Sequence, residues 1–483
     1  MFVLPFELGS LSYWSSLVIL MEWVLRLIML VWIPTRRSPE AAKGWLLLIF
    51  FEPIVGLSLY WLIGRPDMPR WRRKRLADLD DALAPIIGRL QKHPNIMHPD
   101  LGPELNQIVK LAQNVGRLPI LGFNSVEPIS AYHESLDRLA SDIDSAQHHV
   151  HLLYYIFAAD ESTDRIIAAL ISASRRSVAC RILVDAYGSR SYIRLLRKKL
   201  TGTSIEIHEI LKTGLLRQLH VRSDLRNHCK IAVIDGRIGF TGSQNLVSSQ
   251  FKRGIVYEEL VVRVTGPVVL ELQYVFAGDW YLETEQVLNS PDIFPDPEVA
   301  GLTSMQILPS GPTSAPLGIQ RLVILMIHNA RKRVVMTTPY FIPDEALLHA
   351  LQTAAMRGVE VQLIVSEVED QFLVGQAQKS YYEELLDANV QIHLYQTRFL
   401  HAKLLTIDDE LSLVSSGNMD IRSFVLNAEV ALLIYDQQST CELLLQQHCY
   451  LEQSRILTSQ QWTQRSYLNR LSQNICRLMS PLL

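Results

Sequence analysis

The sequence is poor in the residues that build cross-linked or metal-bound proteins. Five of its 483 residues are cysteines, and they are scattered without a Cys-x-x-Cys pair. An odd, scattered set argues against a disulfide framework and against a structural zinc site, and a reducing compartment is expected. A strong charge of either sign is also lacking, since the net charge is −3. The overall charge therefore gives no reason to expect nucleic acid as a partner.

Long apolar runs are confined to the N-terminus, at residues 11–33 and 44–63. Each run is long enough to cross a hydrocarbon core of about 30 Å at about 1.5 Å per helical residue. No basic stretch precedes the first run and no small-residue cleavage site follows it, which argues against a signal peptide. We expect a pair of transmembrane helices within residues 1–64. Glu52-Pro53 in the second run leaves a shallower, kinked hairpin as the alternative.

Charged residues in and after the first run bear on how this segment sits in a membrane. Glu22 and Arg26 are four residues apart and share a helix face, so they are expected to pair. The pair either lowers the cost of insertion or helps to dock the helices. Residues 65–75 contain six Lys or Arg residues, whereas none precedes Leu11. This bias predicts a cytoplasmic location for the rest of the chain, after a basic juxtamembrane linker at residues 65–118.

From about residue 120 the sequence alternates between strand and helix patterns, which is typical of an α/β sheet. Residues 151–157 predict a strand that ends in a loop, and residues 179–185 predict a second strand after a helix. The pattern then recurs: Arg176 and Val178 reappear as Arg357 and Val359, at an offset of 181. A duplicated protein is therefore predicted, with halves at residues 119–295 and 296–483.

The first half carries an insertion before its polar motif. His208 and His228 are 20 residues apart, whereas the corresponding His393 and His401 are 8 apart. The extra loop mixes leucine with arginine and lysine. Two interpretations stay open for this loop, a solvated surface loop and a membrane-facing rim of the active site.

Each half contains a His-x-Lys-x-x-x-x-Asp sequence followed by a Ser-x-Asn sequence. In both copies the asparagine lies 17 residues after the histidine. Two matching sets in a duplicated fold indicate function far more strongly than one would. The ten candidate site residues are His228, Lys230, Asp235, Ser243 and Asn245 in the first half and His401, Lys403, Asp408, Ser416 and Asn418 in the second half.

The residue types in this pattern suit chemistry on a phosphate group. Residues two apart in a strand point to one face, so the histidine and lysine of each copy are expected to converge. The lysines supply positive charge, and the Ser and Asn side chains supply hydrogen-bond donors for phosphate oxygens. The aspartates fall at the strand ends, where they are expected to act within the polar network. No carboxylate or histidine grouping has metal-ligand spacing, so neither a metal nor another cofactor is expected.

The paired motifs resemble those of the phospholipase D superfamily over about residues 120–483. The whole chain is more narrowly similar to the bacterial cardiolipin synthase family. That similarity is carried by Trp45-Leu-Leu-Leu-Ile, Pro53-Ile-Val-Gly56, Thr337-Thr-Pro-Tyr-Phe-Ile-Pro-Asp344 and Asn418-Met-Asp-Ile-Arg-Ser423. Two departures stand out. Ser415 occupies a position where the family usually has Gly, and Glu259 a position where close relatives tend to have Asp.

The resemblance implies two phospholipase D-like halves packed as a pseudo-dimer around one shared active site. It implies a multi-pass protein of the bacterial inner membrane that joins two phosphatidylglycerol molecules into cardiolipin and releases glycerol. His228 would form a phosphatidyl-histidine and His401 would act as the acid and base, with Asp235 and Asp408 orienting or polarising the network. The two histidines would titrate as a coupled pair and give a bell-shaped pH profile.

Other functions are weighed against this one. A phospholipid hydrolase of the same superfamily would let water resolve the intermediate, and the motifs alone do not separate it from a transferase. A nuclease of the superfamily fits poorly with two apolar segments, and anionic membrane lipids are the expected partners. A non-catalytic membrane scaffold would require the loss of motif residues, and none of the six His, Lys and Asp residues is missing.

The C-terminal sequence predicts one more amphipathic helix. Leu468, Leu471, Ile475 and Leu478 recur at helical spacing. This apolar stripe is expected either to pack against the second half or to lie in a membrane interface.

Overall fold

The computed structural model describes residues 8–37, 39–64, 70–99, 102–212, 225–296, 298–312, 317–478 and 480. These residues belong to two compact units, an N-terminal unit within residues 1–73 and a second unit formed by Lys74–Lys212 and Leu225–Leu483. Most of the inserted loop of the first half, residues 213–224, lies outside the described residues. Both interpretations of this loop, a solvated surface loop and a membrane-facing rim, therefore stay predictions.

The N-terminal unit is helical. It contains α1 (Leu8–Trp32), α2 (Pro39–Phe51) and α3 (Pro53–Leu59), followed by a π-helical turn at Tyr60–Gly64. One helix segment, Tyr13–Trp32, has the length and composition of a membrane span, and Ala41–Phe51 is a shorter apolar helix. The second apolar run is interrupted at Glu52, because Pro53 has no N–H to continue the α2 ladder. The break falls where the sequence allowed for a kinked hairpin.

Polar and apolar contacts hold these helices together. The predicted ion pair between Glu22 and Arg26 is observed at 3.2 Å. Arg26 Nε also donates a hydrogen bond to the Phe50 carbonyl of α2 at 3.2 Å, so the pair takes part in docking the two helices. Close approach is also needed at Gly56, where a Cβ would lie 2.8 Å from the Ile49 backbone.

The predicted juxtamembrane linker contains two helices of the second unit. They are α4 (Arg70–Leu90) and α5 (Gly102–Gly116). The apolar face of α4 is buried against the first half through Leu83 and Ile86, and that of α5 is buried against the second half through Ile108. Within the second unit, this segment is therefore helical and packed through these residues.

The first half follows the predicted alternation of strands and helices, with a short 3₁₀ turn at Glu161–Thr163. Its elements are β1 (Leu121–Ile129), α6 (Tyr132–Ser145), β2 (His149–Tyr154), α7 (Asp164–Arg175), β3 (Ala179–Asp185), α8 (Ile193–Lys199), β4 (Glu206–Ile210), β5 (Arg226–Asn227), β6 (Lys230–Ile234), β7 (Ile238–Gly242), β8 (Tyr257–Glu258), β9 (Val261–Thr265) and α9 (Val269–Thr284).

The second half repeats this order with additions at its C-terminal end. Its elements are β10 (Thr303–Ser310), α10 (Gly318–Asn329), β11 (Arg333–Thr337), β12 (Phe341–Ile342), α11 (Glu345–Met356), β13 (Glu360–Ser366), α12 (Phe372–Lys379), α13 (Tyr382–Asp387), β14 (Gln391–Tyr395), β15 (Phe399–Leu400), β16 (Leu404–Ile407), β17 (Leu411–Ser415), β18 (Met419–Asp420), α14 (Ile421–Val425), β19 (Asn427–Ile434), α15 (Gln437–Glu452), β20 (Ser454–Leu457), α16 (Ser459–Thr463) and α17 (Tyr467–Arg477).

The predicted repeat is observed in these elements. Helices α7 and α11 have the same length and start 181 residues apart, and so do strands β3 and β13. Both halves contribute to one sheet, in the order β4-β3-β2-β6-β7-β9-β1-β10-β19-β17-β16-β11-β13-β14-β20, with β5 attached to β19. The antiparallel pair of β1 and β10 joins the two halves at its middle. The order on one side of that pair mirrors the order on the other.

The sheet is covered on both faces. In β6, Ile231 and Val233 belong to a core cluster that includes α9 and the strands of both halves. The alternate residues Ala232 and Ile234 face a different cluster with α6 and α7. Strands buried on both faces read as continuous apolar runs, which is why the runs after each motif lysine are so hydrophobic. Those strands are rigid supports for the motif residues that precede them.

The C-terminal helix α17 forms as predicted, but its apolar stripe does not pack against the second half. Leu468, Leu471, Ile475 and Leu478 are all exposed, whereas Gln473 and Cys476 are buried. The interpretation that placed the stripe in the core is therefore wrong, because the polar side of the helix faces the protein.

Candidate active site

Each motif histidine is attached to the other half of the molecule by backbone pairing. Strand β5, just before His228, pairs in parallel with the start of β19, and β15, just before His401, pairs in parallel with β8. The His228 N–H donates to the Ala428 carbonyl at 2.8 Å, and the His401 N–H donates to the Glu258 carbonyl at 2.7 Å. The two halves thus exchange the strand ends that carry their histidines.

Each exchanged strand end places the imidazole against a glutamate of the other half. His228 Nδ1 lies 3.0 Å and 3.2 Å from the two carboxylate oxygens of Glu429. His401 Nδ1 lies 2.9 Å from both carboxylate oxygens of Glu259. A proton on Nδ1 that is donated to the carboxylate leaves Nε2 with its lone pair free. In this geometry Nε2 is the ring nitrogen that can act as a nucleophile or as a base.

The glutamates are held as carboxylates. Burial by itself raises their pKa, but the charge and hydrogen bonds of the facing histidine, together with a nearby lysine, bring the pKa of both Glu259 and Glu429 below the usual range. Glu429 also accepts hydrogen bonds from Ser416 Oγ at 2.5 Å and from Asn427 Nδ2 at 3.2 Å. Ionised carboxylates orient the imidazoles and stabilise positive charge that develops on them.

The motif lysines are buried next to the histidines. Lys230 Nζ donates to the His228 carbonyl and Lys403 Nζ donates to the His401 carbonyl, each at 2.6 Å. Burial lowers the pKa of Lys230 to about 8 and that of Lys403 to about 7, against the opposing effect of the two glutamates. Near neutral pH, small changes in the surroundings therefore decide whether each lysine is charged.

The two motifs form one electrostatic cluster. Burial lowers the pKa of His228 to about 4, and the positive charges of Lys230 and Lys403 act in the same direction. The pKa of His401 is also lowered, first by burial, and the charges of Lys403 and Lys230 again contribute. Each imidazole thus lies within range of the lysine from the other half. Both imidazoles thus have a pKa below that of free histidine.

The motif serines form hydrogen bonds around the two glutamates. Ser243 Oγ donates to the Leu260 carbonyl and accepts from the Leu260 N–H, and its bond to Glu259 helps keep that carboxylate ionised. Ser416 Oγ donates to the Glu429 carboxylate and accepts from the Val430 N–H. Both serines are fully buried. Direct binding of phosphate by these serines stays a prediction.

The two motif asparagines differ in their contacts. Asn245 accepts a hydrogen bond from the Ile156 N–H at 3.1 Å through Oδ1, which leaves its amide Nδ2 available to a ligand. Asn418 donates from Nδ2 to Asp420 at 3.0 Å. Asn418 Oδ1 is buried without a hydrogen-bond partner among the described residues. The identical spacing of these residues does not give them identical roles.

The motif aspartates lie at the far end of their strands. Asp235 accepts hydrogen bonds from the backbone N–H groups of residues 147–149, and Asp408 does so from residues 331–333, at 2.7–2.9 Å. Both have a φ of 53°, in the turn that follows the motif strand. They fasten the start of the neighbouring strand. The carboxylates that contact the imidazoles are Glu259 and Glu429, whereas the hydrogen bonds of Asp235 and Asp408 go to backbone N–H groups. The prediction that the aspartates orient or polarise parts of the network stays a prediction.

The surroundings of His401 are more enclosed than those of His228. Tyr257, Tyr340 and Phe399 lie with their ring centroids 5.7–6.5 Å from the His401 ring. Asp370 accepts hydrogen bonds from both tyrosine hydroxyls, at 2.9 Å and 2.7 Å. Around His228, Tyr155 is the aromatic neighbour, at 5.0 Å. The second histidine therefore has a packed wall that the first lacks among the described residues.

Known proteins resemble this arrangement and its sequence. The family model described as cardiolipin synthase, PLD-like domain, matches residues 139–280 and 323–449. The chain belongs to this family. A curated cardiolipin synthase A of Pectobacterium atrosepticum is 34% identical over 98% of this chain and 97% of its own length. Those of Proteus mirabilis and Yersinia pseudotuberculosis are 34% and 31% identical, over 93% and 99% of this chain and 94% and 98% of their own lengths.

A solved structure shows that the fold of this cardiolipin synthase-family chain is shared more widely. The crystal structure of phosphatidylserine synthase from Haemophilus influenzae superposes with a TM-score of 0.60 at 16% identity. The match covers 78% of this chain and 100% of that chain. At this level of identity the likeness concerns the fold.

Sequence reasoning missed the two glutamates that contact the rings. Glu259 was noticed as a departure from close relatives but was given no role, and Glu429 was not singled out. A signal was present, because Glu259-Leu-Val-Val and Glu429-Val-Ala-Leu occupy corresponding places at the start of β9 and early in β19. Their pairing with the histidine of the opposite half depends on strand exchange, which the sequence does not display.

Proposed function

We propose that this chain transfers a phosphatidyl group between two phosphatidylglycerol molecules, giving cardiolipin and glycerol. The observation that carries the proposal is the pair of crossed His–Glu contacts within one cluster of charged groups. The curated relatives named cardiolipin synthase A, which cover nearly the whole chain, support the choice of substrate. The half boundaries at residues 119–295 and 296–483 are part of the proposal.

In the first step His228 is the nucleophile. Its ring is neutral because burial lowers the pKa to about 4, and the Nδ1 proton is held by Glu429. Nε2 attacks the lipid phosphorus and forms a P–N bond as the P–O bond to glycerol breaks. Lys230 and Lys403 stabilise the charge on the phosphoryl oxygens, and Asn245 Nδ2 supplies a further donor.

His401 handles the protons in both steps. The bound phosphodiester brings a negative charge into the site and raises the pKa of the His401 imidazole from its value in the empty pocket. The imidazolium, stabilised by Glu259, gives its proton to the departing glycerol oxygen. The neutral ring then takes the proton from the hydroxyl of the second phosphatidylglycerol, whose oxygen forms the new P–O bond as the P–N bond to His228 breaks.

The N-terminal unit is proposed to place this chemistry on the bacterial inner membrane. Its candidate span at Tyr13–Trp32 and the shorter apolar helix at Ala41–Phe51 support a multi-pass or hairpin anchor. The basic residues that follow support a cytoplasmic location for the second unit. Anionic lipids are the proposed partners of this basic segment.

The proposal is tested by product analysis. Purified full-length protein is added to phosphatidylglycerol vesicles, and the lipids are separated, with the His228→Ala variant as the control. Cardiolipin and glycerol in equal amounts are expected. Phosphatidic acid as the main product would instead identify a hydrolase. Activity is expected to survive a chelator, and an inhibition that added metal reverses would contradict the mechanism described here.

A further inference from the structure

Helix α17 is amphipathic, but its apolar side faces outward and its polar side faces the protein. Its apolar stripe faces outward, with Leu468 73% and Leu478 81% exposed and with Leu471 and Ile475 exposed between them. Its protein-facing side carries the buried polar residue Gln473. An amphipathic helix of a soluble protein buries its apolar stripe, so this orientation implies that something else covers the stripe.

Ion pairs fix the helix in this orientation. Arg470 pairs with Glu383 at 2.6 Å, and Arg477 pairs with Glu384. Arg465, just before the helix, also pairs with Glu383 at 2.6 Å. Both glutamates belong to α13. The helix therefore cannot roll its apolar stripe inward without breaking these contacts, and α17 itself contains no acidic residue.

The neighbouring helix also exposes apolar side chains. Helix α12 packs against α17, and its first two residues, Phe372 and Leu373, are exposed. Six large exposed apolar side chains thus lie on two packed helices and at the C-cap of the second, Leu478. Exposed apolar surface of this kind marks an interaction site. We refer to Phe372, Leu373, Leu468, Leu471, Ile475 and Leu478 as the apolar face.

A cavity lies between these helices and two of the aromatic neighbours of His401. It has a volume of about 240 Å³ and is lined by Gln378 of α12, by Asn469 and Gln473 of α17, and by Tyr340 and Phe399. Those last two side chains pack against the His401 ring. The two helices that carry the apolar face therefore border a depression whose opposite wall is the aromatic wall of His401.

We propose that the apolar face is a second membrane contact, which docks the catalytic unit onto the surface of the bilayer beside His401. This inference rests on the proposed function, because a lipid substrate has to reach the depression from a membrane. A leucine- and isoleucine-rich helix face without acidic residues suits insertion at the boundary between headgroups and acyl chains. The occupant is the lipid surface, and a second copy of the chain is the competing outcome of the test.

The test uses full-length protein reconstituted in phosphatidylglycerol vesicles. In a Cys441→Ser, Cys449→Ser background, Ile475→Cys carries an environment-sensitive fluorophore, and Met356→Cys is the matched control. Met356 is also exposed, but it lies at the end of α11, before the start of β13, whereas α12 follows the end of β13. Lipids with a quencher on the acyl chain are expected to remove most of the fluorescence at position 475 and little at position 356.

Two results would overturn the inference. One is equal, weak quenching at both positions. The other is a blue-shifted probe at position 475 that lipid does not quench but that cross-links to a second copy. The fluorescence readout does not depend on catalysis. Quenching without cardiolipin synthesis would support the docking and refute the proposed function. Cardiolipin synthesis without quenching would support the proposed function and refute the docking.

A second variant tests the consequence for catalysis. Leu468→Ser combined with Leu478→Ser changes exposed side chains only, so the fold is expected to stay intact. The KM for vesicle lipid is expected to rise several-fold with kcat unchanged, and substrate dispersed in detergent is expected to abolish the difference. An unchanged KM on vesicles would contradict the docking role.

Discussion

The two halves carry the same catalytic set, yet they surround it differently. In both, the imidazole donates to a glutamate of the opposite half and a lysine donates to the histidine carbonyl. The asparagines diverge, since Asn245 keeps a free amide donor whereas Asn418 is bound to Asp420. Three aromatic rings enclose His401 but one flanks His228.

The residues that the two halves share correspond to groups that the whole reaction needs. The residues that differ correspond to groups that a single step needs. The proposed mechanism requires two imidazoles and two carboxylates around one phosphate, and duplication supplies one of each from each half. The nucleophile needs access to phosphorus and a donor for the phosphoryl oxygens, which the first half offers. His401, as the proposed acid and base, needs a position from which water is excluded. The aromatic wall of the second half offers that position.

Replacing the histidines is expected to give the largest effects. His228→Ala removes the atom that bonds to phosphorus, so kcat is expected to fall about 10⁴-fold or more. His401→Ala removes proton transfer, and a loss of about 10²- to 10⁴-fold is expected. Rates of glycerol release from phosphatidylglycerol measure both. Equal losses would remove the distinction between nucleophile and acid drawn above.

The crossed glutamates come next in size. Glu429→Gln and Glu259→Gln keep the shape but remove the charge that orients each ring, and a fall in kcat of about 10²-fold or more is expected for each. Asp235→Asn and Asp408→Asn make the same chemical change outside the ring contacts. These controls are expected to retain kcat within about threefold, since their hydrogen bonds go to backbone amides and not to the imidazoles. If the aspartate variants lost activity and the glutamate variants kept it, the motif aspartates would be the carboxylates that act in the polar network.

The pH dependence of kcat/KM reports on the shared cluster. Protonation of His228 removes the nucleophile, so activity is expected to fall as the pH drops toward its pKa of about 4. Loss of charge from Lys403, whose pKa is about 7, and then from Lys230, whose pKa is about 8, is expected to weaken phosphate binding as the pH rises. Lys403→Arg is expected to move the basic limb upward, because arginine stays charged. A basic limb that does not move would argue against this assignment.

Asp370 tests the asymmetry of the aromatic wall. It is the acceptor for the Tyr257 and Tyr340 hydroxyls and pairs with Lys252 at 2.5 Å. Asp370→Asn keeps the volume but loosens this clamp, so the fraction of intermediate lost to water is expected to rise severalfold. The ratio of phosphatidic acid to cardiolipin measures it. An unchanged ratio would mean that the wall does not shelter His401.

The smallest expected effects concern stability. Asp235→Ala and Asp408→Ala each remove three hydrogen bonds to backbone N–H groups, and a loss of about 1–3 kcal/mol in the free energy of unfolding is expected for each. Denaturant unfolding of the detergent-solubilised protein measures it. Similar losses are expected for the two variants, because each aspartate accepts the same three backbone hydrogen bonds. A large difference would show that the two aspartates contribute unequally to stability.

Local sequence patterns predicted the elements well and the contacts between halves poorly. The strand at residues 179–185 and the offset of 181 are observed because both depend on hydrophobic periodicity along one stretch of chain. The pairing of β5 with β19 and of β15 with β8 joins residues far apart in sequence, so the roles of Glu259 and Glu429 were not visible. The stripe of α17 was predicted, but its direction is set by ion pairs to α13.

Trapping the covalent intermediate tests the central claim most directly. His401→Ala protein is mixed with radiolabelled phosphatidylglycerol, denatured at neutral pH and digested, and the labelled peptides are identified by mass spectrometry. The account predicts a phosphatidyl group on the peptide that contains His228, and no label when His228→Ala is added. A label on the His401 peptide of the wild type, or cardiolipin synthesis without any labelled peptide, would contradict it.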